Sequence, residues 1–338
     1  MNMKLKLGKM SMGTALEYST KGNAHVFMSG KSGYGKSWEM RLLVKQIPEQ
    51  HGRTIILDFS GDFQKPYPEQ EWDPKKAEII DVRSGEFGLN PFVRKEGETA
   101  DDVADRVMDM LESGLKLTPS QWAYVRDIIA EGLESGSIYS IADIIERIKM
   151  DANEYGVAQR LLPKVRSLGR LLPKGGREID WRVDEPGITI VDLSKIRDRT
   201  ARAILTEMIL STICDLRMAG EPGDKNPLVI ALDECQHLRF NEHDQEVRIL
   251  REGRKYGVSG WFATQWIHDK TALAALGQAD LHLYFKPAED DLHKTAMKLA
   301  NGDRKQVVDC EKRLAGLKVG QFLYRNGSRL VVSSPPQK

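Results

Sequence analysis

The sequence predicts an α/β protein in which a mainly parallel sheet is flanked by helices and interrupted by an all-helical lobe. Three observations carry this reading. Short apolar runs alternate with segments of helical periodicity, the pattern of parallel strands joined by crossover helices. Between residues 93 and 177 the strand signal fades, and apolar residues recur three or four apart. A glycine-rich segment, Gly30-Lys-Ser-Gly-Tyr-Gly-Lys36-Ser37, falls between a predicted strand and a predicted helix.

His25-Val-Phe-Met-Ser29 reads as the strand entering that segment. Residues 37–47 then read as a helix, with Met40, Leu43 and Ile47 on one face and Pro48 ending it. Thr54-Ile-Ile-Leu-Asp58 and Glu78-Ile-Ile-Asp-Val82 are the next strands. Within the lobe, residues 100–113, 119–133 and 141–149 are predicted helices. Ile188-Thr-Ile-Val-Asp192 resumes the sheet, and residues 200–218 form a helix with Ile204, Met208 and Leu216 near one stripe. Leu228-Val-Ile-Ala-Leu232, Gly260-Trp-Phe-Ala-Thr264 and Leu281-His-Leu-Tyr-Phe285 complete the buried strands. Gln321-Phe-Leu-Tyr324 and Leu330-Val-Val332 suggest a final hairpin through Asn326-Gly327. The expected division is a core in two parts, 1–92 and 178–338, with the lobe at 93–177 between them.

Composition narrows the class. The 338 residues are 41% hydrophobic and 29% charged, the balance of an ordinary globular protein. Lys and Arg number 50 against 49 Asp and Glu, so any nucleic-acid surface must be local. Three well-separated cysteines, Cys214, Cys235 and Cys310, argue against a disulfide framework. With no signal-peptide pattern and no run of about 20 apolar residues, no transmembrane segment is expected. A cytoplasmic protein is the expectation, with a peripheral place at a membrane machine left open.

The glycine-rich segment matches G-x-x-x-x-G-K-[ST] at every fixed position. Gly30, Gly33 and Gly35 let the backbone wrap until successive N–H groups point at phosphates, and the following helix adds its positive end. Lys36 reaches the β- and γ-phosphates of ATP, the Ser37 hydroxyl ligates Mg²⁺, and Ser32, Tyr34 and Trp38 complete the nucleotide-binding set. The alternative, a chance glycine-rich turn, does not explain the strand–loop–helix context. The apolar run ending in Asp233-Glu234 delivers two acids to the crevice outside the strand ends. Asp233 is the candidate second Mg²⁺ ligand, and Glu234 the base that activates water. Alone, such a strand more often runs into a solvated acidic turn; downstream of a complete phosphate loop the functional reading prevails. Gln265 ends the next strand, where an amide can sense the γ-phosphate. Asp58 ends another, with a turn-forming and a supporting role equally open.

Together these segments resemble the HerA/FtsK superfamily of ring-forming translocases, which includes the conjugative-transfer ATPases of type IV secretion. Ile56-Leu-Asp58-Phe-Ser-Gly61-Asp62-Phe63 is similar to the family's Asp-x-x-Gly-Glu-Tyr segment, with Asp62 replacing the usual Glu. Gly88-Leu-Asn90-Pro91-Phe92 is similar to a Leu-Asn-Pro-Phe segment that precedes a helical insert. Arg251-Glu-Gly-Arg254-Lys255-Tyr-Gly257 followed by Phe262-Ala-Thr-Gln265, and Leu314-Ala-Gly-Leu-Lys-Val-Gly320, extend the match. An accessory barrel of the kind that precedes the phosphate loop in some relatives is not expected from these residues. The resemblance implies a RecA-like P-loop core, a homo-oligomeric ring, most often a hexamer, and ATP held between subunits. It makes Arg254 the first candidate for an arginine finger acting on a neighbour, and Arg251 the second. An exposed basic helix end is the plainer reading of Arg251.

DNA is the partner most in keeping with the family, with secretion or nuclease proteins as further candidates. Residues 157–177 hold six basic side chains, Arg160, Lys164, Arg166, Arg170, Lys174 and Arg177, and no acid. They suggest an amphipathic basic helix interrupted by Pro163 and Pro173; a solvated face is the plainer alternative. Arg239 and Arg248 lie where related rings place channel loops, but Glu242, Asp244 and Glu246 interrupt any basic track. Cys235, His237 and His243 lack the spacing of structural zinc. Three functions stay open: a DNA-stimulated translocase, a protein-export or assembly ATPase, and a nucleotide-gated scaffold.

Overall fold

A computed structural model describes the chain except for residues 1–2, 11–13, 21–23, 85–86, 167, 173–176, 220, 224, 266–269, 301–302, 327–328 and 335–338. The strands are β1 (Lys4–Met10), β2 (Ala15–Ser19), β3 (Val26–Ser29), β4 (Arg53–Asp58), β5 (Glu78–Asp81), β6 (Phe87–Gly88) and β7 (Arg177–Glu178). They continue as β8 (Gly187–Asp192), β9 (Leu228–Leu232), β10 (Val258–Thr264), β11 (Leu281–Phe285), β12 (Phe322–Asn326) and β13 (Arg329–Ser334). The helices are α1 (Lys36–Val44), α2 (Ala100–Glu112), α3 (Pro119–Glu134), α4 (Ile141–Asp151), α5 (Gly156–Val165) and α6 (Leu168–Leu171). After them come α7 (Arg199–Met218), α8 (Gln245–Glu252), α9 (Lys270–Leu276), α10 (Glu289–Leu299) and α11 (Arg304–Ala315). None of the described helices is long and apolar enough to cross a membrane.

One sheet carries the fold, in the order β2-β1-β13-β12-β11-β3-β10-β9-β4-β8-β5. From β11 to β5 every pairing is parallel; β12, β13, β1 and β2 extend the sheet antiparallel. β4, β9 and β10 are buried at every position, which explains the unbroken apolar run of β9 and the apolar centres of β4 and β10. The β1–β2 hairpin is absent from the sequence-based expectation. Its signal is short: Met3, Leu5 and Leu7 are buried while Lys4 and Lys6 face solvent, a two-residue alternation of edge strands. Gln46 and Gln50, in the segment that follows α1, bond the backbone of Lys6 and Lys4 with their amides and so cover part of that edge.

The helices of the 100–171 stretch start where capping chemistry says they should. Thr99 with Asp102 and Thr118 with Gln121 form reciprocal capping boxes on α2 and α3, and Ser140 caps α4. Pro163 does not interrupt the helix before it: α5 runs through it and ends at Val165. The bond that Pro163 cannot donate would fall on the Gln159 carbonyl, and both residues are exposed, so water can serve that acceptor.

Apolar residues from α1 and the turn after it cover one face of the sheet, where Met40, Leu43, Val44 and Ile47 meet Met28, Ile56 and Ile190. On the other face a single core runs from the sheet through α7 and α8 into α2–α5. The helical stretch therefore packs into a core shared with the sheet. Within that core lies an acid pair. Glu207 on α7 and Glu246 on α8 are buried and hydrogen-bonded to each other; Glu207 accepts from the Gln245 N–H (3.0 Å) and Glu246 from the Phe240 N–H (3.1 Å). Burial and then mutual repulsion raise Glu207, while burial and Asp244 push Glu246 up to about 7.

Both carboxyls thus hold a proton more tightly in the folded chain than in the unfolded one. The Glu246 contribution to stability is complete below the ordinary carboxylate range and is lost as pH rises through about 7, and Glu207 acts in the same direction. The thermal midpoint is expected to fall by about 5 °C between pH 5 and pH 8. Glu246→Gln, which supplies the proton's donor permanently, should flatten that slope in thermal melts followed by circular dichroism.

Candidate active site

The site forms at the carboxyl ends of β3, β10 and β9. Leaving β3, the chain turns at Gly30 with φ 150°, against Phe285: a Cβ there would lie 2.6 Å from the Phe285 Cβ. Only glycine fits. The loop is then tied down on both flanks. Gly30 N–H donates to the Thr264 carbonyl (3.3 Å), Lys31 N–H to the Lys286 carbonyl (2.7 Å), and Gly320 N–H to the Tyr34 carbonyl (3.0 Å). Gly35, with φ 103°, caps the start of α1 and faces Gly320 so closely that a Cβ would stand 3.1 Å from its Cα. Ser32 and Gly33 are exposed, Tyr34 is half-buried, and the Trp38 carbonyl accepts from Gln70 Nε2 at 2.8 Å.

Lys36 is buried, with Nζ donating to the carbonyls of Gly30 (2.7 Å) and Lys31 (3.2 Å). Burial lowers its pKa, against the pull of Asp233 and Glu234. Ser37 Oγ donates to Asp233 Oδ2 at 2.5 Å. The acids do not come from a strand beside β3, as a simple pairing of the two motifs would have it, because β10 lies between β3 and β9. α1 closes that gap: it packs over β10 and β9, carrying the Ser37 hydroxyl across one strand to Asp233.

Asp233 is 2% exposed, and burial pushes its carboxyl up to about 6, opposed by the Ser37 hydrogen bond. Glu234 follows in the left-handed conformation, φ 62°, an unfavourable backbone for a non-glycine residue that turns its carboxylate out of the strand direction. That carboxylate is gripped by two amides. Gln265 Nε2 donates to both oxygens (2.9 and 3.0 Å), Gln236 Nε2 donates to Oε2, and Thr264 Oγ1 donates to Gln236 Oε1 at 2.8 Å. Gln236 and Thr264 had no sequence signal of their own; they adjoin Glu234 and Gln265 but acquire meaning only when β9 and β10 pair.

A brace behind α1 was also invisible in sequence. Arg41 lies over the Tyr67 ring (3.9 Å to its centre) and donates from Nε to Gln70 Oε1 at 2.8 Å. Lys45 Nζ bonds the Gln70 carbonyl at 2.7 Å. Asp58, at the tip of β4, closes the following turn: Oδ1 accepts from Ser60 and Gly61 N–H, and Oδ2 from Phe63 N–H. The turn-forming role is the one its geometry displays.

Arg251 and Arg254 precede β10, whereas Gln265 follows it. Seven residues of strand, about 20 Å, separate these ends. Arg254 is exposed, makes no ion pair among the described residues, and lies near His25 at the amino end of β3. Arg251 pairs with Glu242 at 3.3 Å. Neither approaches the phosphate loop of its own chain.

Of the basic side chains singled out for DNA, Arg160 on α5 and Arg166 just after it are exposed. Lys164 instead bonds the Lys116 carbonyl (2.7 Å) and Gln121 (3.0 Å). Arg239 bonds the Glu112 carbonyl, and Arg248 approaches Asp215 at 3.6 Å. The side chains of Arg170 and Arg177, and all of Lys174, lie outside the described residues.

Known proteins agree with this architecture. A family model described as helicase HerA, central domain, matches residues 5–213. No curated protein sequence matches the chain. Among solved structures, the fold is similar to VirB4 of Thermoanaerobacter pseudethanolicus, at 17% identity and a TM-score of 0.76, covering 99% of this chain and 96% of that one. It is similar also to the bacterial conjugative coupling protein TrwBdeltaN70 (14% identity, TM-score 0.67, 93% of this chain and 84% of that one). TrwB in complex with ADP and Mg²⁺ gives 15% identity and a TM-score of 0.69, covering 93% and 85%. With more than half of its length matched by that family model, and a phosphate loop and acid pair on a RecA-like sheet, the chain belongs to the HerA central-domain family of P-loop ATPases.

Proposed function

We propose that this protein is an ATP-hydrolysing motor that forms a ring of its own copies and moves DNA. One observation supports the hydrolytic part above all: Ser37 meets Asp233 while Gln265 holds Glu234, all at the tips of three neighbouring strands. A hydroxyl and a carboxylate are hard oxygen donors and suit Mg²⁺, so Ser37 and Asp233 would hold the ion with the β- and γ-phosphates. When bound, Mg²⁺ supplies neutralisation of phosphate charge.

The chain's own residues do the rest. Lys36, now spent on the Gly30 and Lys31 carbonyls, turns to the phosphates when ATP enters. Glu234 accepts the proton of the attacking water, and the two amides hold its carboxylate in line for that transfer. Gln265 links the base to β10, whose preceding carbonyl, that of Thr264, fastens Gly30. It is thereby placed to report on the γ-phosphate. Arg254 serves the adjacent subunit as an arginine finger, since it stands a strand's length from its own site and has no acid to neutralise it among the described residues. Arg160 and Arg166 are the side chains freest to meet a DNA backbone.

Lys36→Ala is expected to abolish ATP binding in equilibrium titrations. Glu234→Gln should retain ATP but hydrolyse it about 10²–10⁴-fold more slowly; normal turnover in either would overturn the site assignment. Mixed rings of Arg254→Ala and Glu234→Gln subunits should recover hydrolysis that neither variant shows alone, and no recovery in verified mixed rings would refute a finger acting between subunits. Double- or single-stranded DNA should raise steady-state ATP hydrolysis several-fold, and Arg160→Ala with Arg166→Ala should weaken DNA binding and reduce its salt dependence by about two counterions. Stimulation by a protein partner and not by DNA would favour the export reading.

A further inference from the structure

Beyond Glu234, away from the phosphate loop, three cationic or protonatable side chains converge around a small hollow. Arg199 and Arg202 come from the first turn of α7, and His237 from the turn that follows Glu234. With Phe59, Ala203 and Leu238 they line a pocket of about 40 Å³, room for a few waters or one small ion. The Arg202 guanidinium lies 5.3 Å over the Phe59 ring, and His237 meets the same ring edge-on at 6.0 Å.

No ordinary ion-pair network holds this cluster together. Neither arginine forms an ion pair among the described residues. The adjacent acid, Asp198, accepts from the Thr200 and Ala201 N–H groups at the start of α7 (2.9 and 3.3 Å). Burial and then the neighbouring Arg199 lower the Arg202 guanidinium, while burial, Arg202 and Arg199 disfavour protonation of His237 against the pull of Glu234. Arg199 and His237 are exposed and Arg202 is half-buried, so the hollow is open to solvent and presents like charges from two segments to any anion that enters it. The positive end of the 20-residue α7 points the same way.

Sheet order places the cluster in relation to the reaction. Across the strand tips from β3 come Gln265 after β10, Glu234 and His237 after β9, Phe59 after β4, then the α7 entrance after β8. The pocket is thus the next polar feature on the far side of Glu234 from the phosphate loop. We infer that Arg199, Arg202 and His237 form a phosphate-oxyanion site next to the general base, distinct from the nucleotide cradle. Two sources share this chemistry: the orthophosphate released by hydrolysis, which would pause there on leaving, and a backbone phosphate of bound DNA. The placement beside the base rests on the ATPase reading; the anion site itself does not.

The test separates these. In the full chain carrying Lys36→Ala, which removes nucleotide binding, millimolar inorganic phosphate should move the His237 imidazole resonances at fixed pH, and Arg202→Gln should weaken that response at least fivefold, with Arg202→Lys partly preserving it. If orthophosphate is the source, Arg202→Gln in the otherwise unaltered chain should raise the inhibition constant of added phosphate at least fivefold and leave DNA affinity unchanged. If DNA is the source, Arg199→Gln and Arg202→Gln should each lower the slope of DNA binding against salt by about one, and a short duplex should compete with phosphate at His237. A folded Arg202→Gln variant, verified by circular dichroism, that responds to phosphate and to DNA as the parent does would overturn the proposal. So would His237 resonances unmoved by either ligand. Loss of ATP hydrolysis alone, with the phosphate response intact, would fault the ATPase reading and not this site.

Discussion

The constraint from which the site follows is the burial of Asp233 at the end of a strand with no polar residue in it. Leu228-Val-Ile-Ala-Leu232 is fully buried between two parallel neighbours, so the carboxyl that follows enters a poorly solvated crevice. Such a group must find a donor or hold its proton. Its side-chain donor is the Ser37 hydroxyl, and reaching it requires the first turn of α1 to sit across β10. The position of the phosphate loop, the packing of α1 and the path of the loop's glycines are all tied to that one contact.

The strand tips repeat a common economy. Asp58 and Asp192 each use a carboxylate to collect the N–H groups of the turn that follows, Asp58 from Ser60, Gly61 and Phe63, and Asp192 from Ser194. Asp233 takes the Glu234 N–H likewise, at 3.0 Å. What sets β9 apart is the next residue, because Glu234 adopts a backbone conformation that costs energy and is held there by Gln265 and Gln236. Strain of about 1–3 kcal/mol is tolerated where neighbouring bonds over-determine the geometry, and here two amides from two segments do so.

Behind this face the helical layers are not a separate body of packing. The apolar residues of α2–α5 run without a break into those of α7 and α8 and so to the sheet. The Glu207–Glu246 pair fastens α7 to α8 within that layer, and Cys235, one residue after the candidate base, is buried in the same core. The braces on the other face are of a different kind: Arg41, Gln70 and Lys45 clip the 63–72 segment over α1 by polar contacts.

Sequence alone located the phosphate-loop signature, the apolar strands and the helix starts, since each is set by local chemistry: a glycine where a Cβ cannot fit, an apolar run where both faces are covered, a threonine where N–H groups need an acceptor. It gave weaker hints where tertiary context dominates. The β1–β2 hairpin is an edge whose few alternating residues gain a partner only when β13 and the segment after α1 reach it. The basic residues of 157–177 look alike in sequence, yet Lys164 is fastened to the α2–α3 connection while Arg160 and Arg166 face solvent. Which strand lies beside which, and hence that β10 separates the two motifs, that Gln236 joins Glu234, and that Arg199 and Arg202 face His237, was decided by the folded sheet. Strand order is a long-range choice among pairings, and no residue's local preference encodes it.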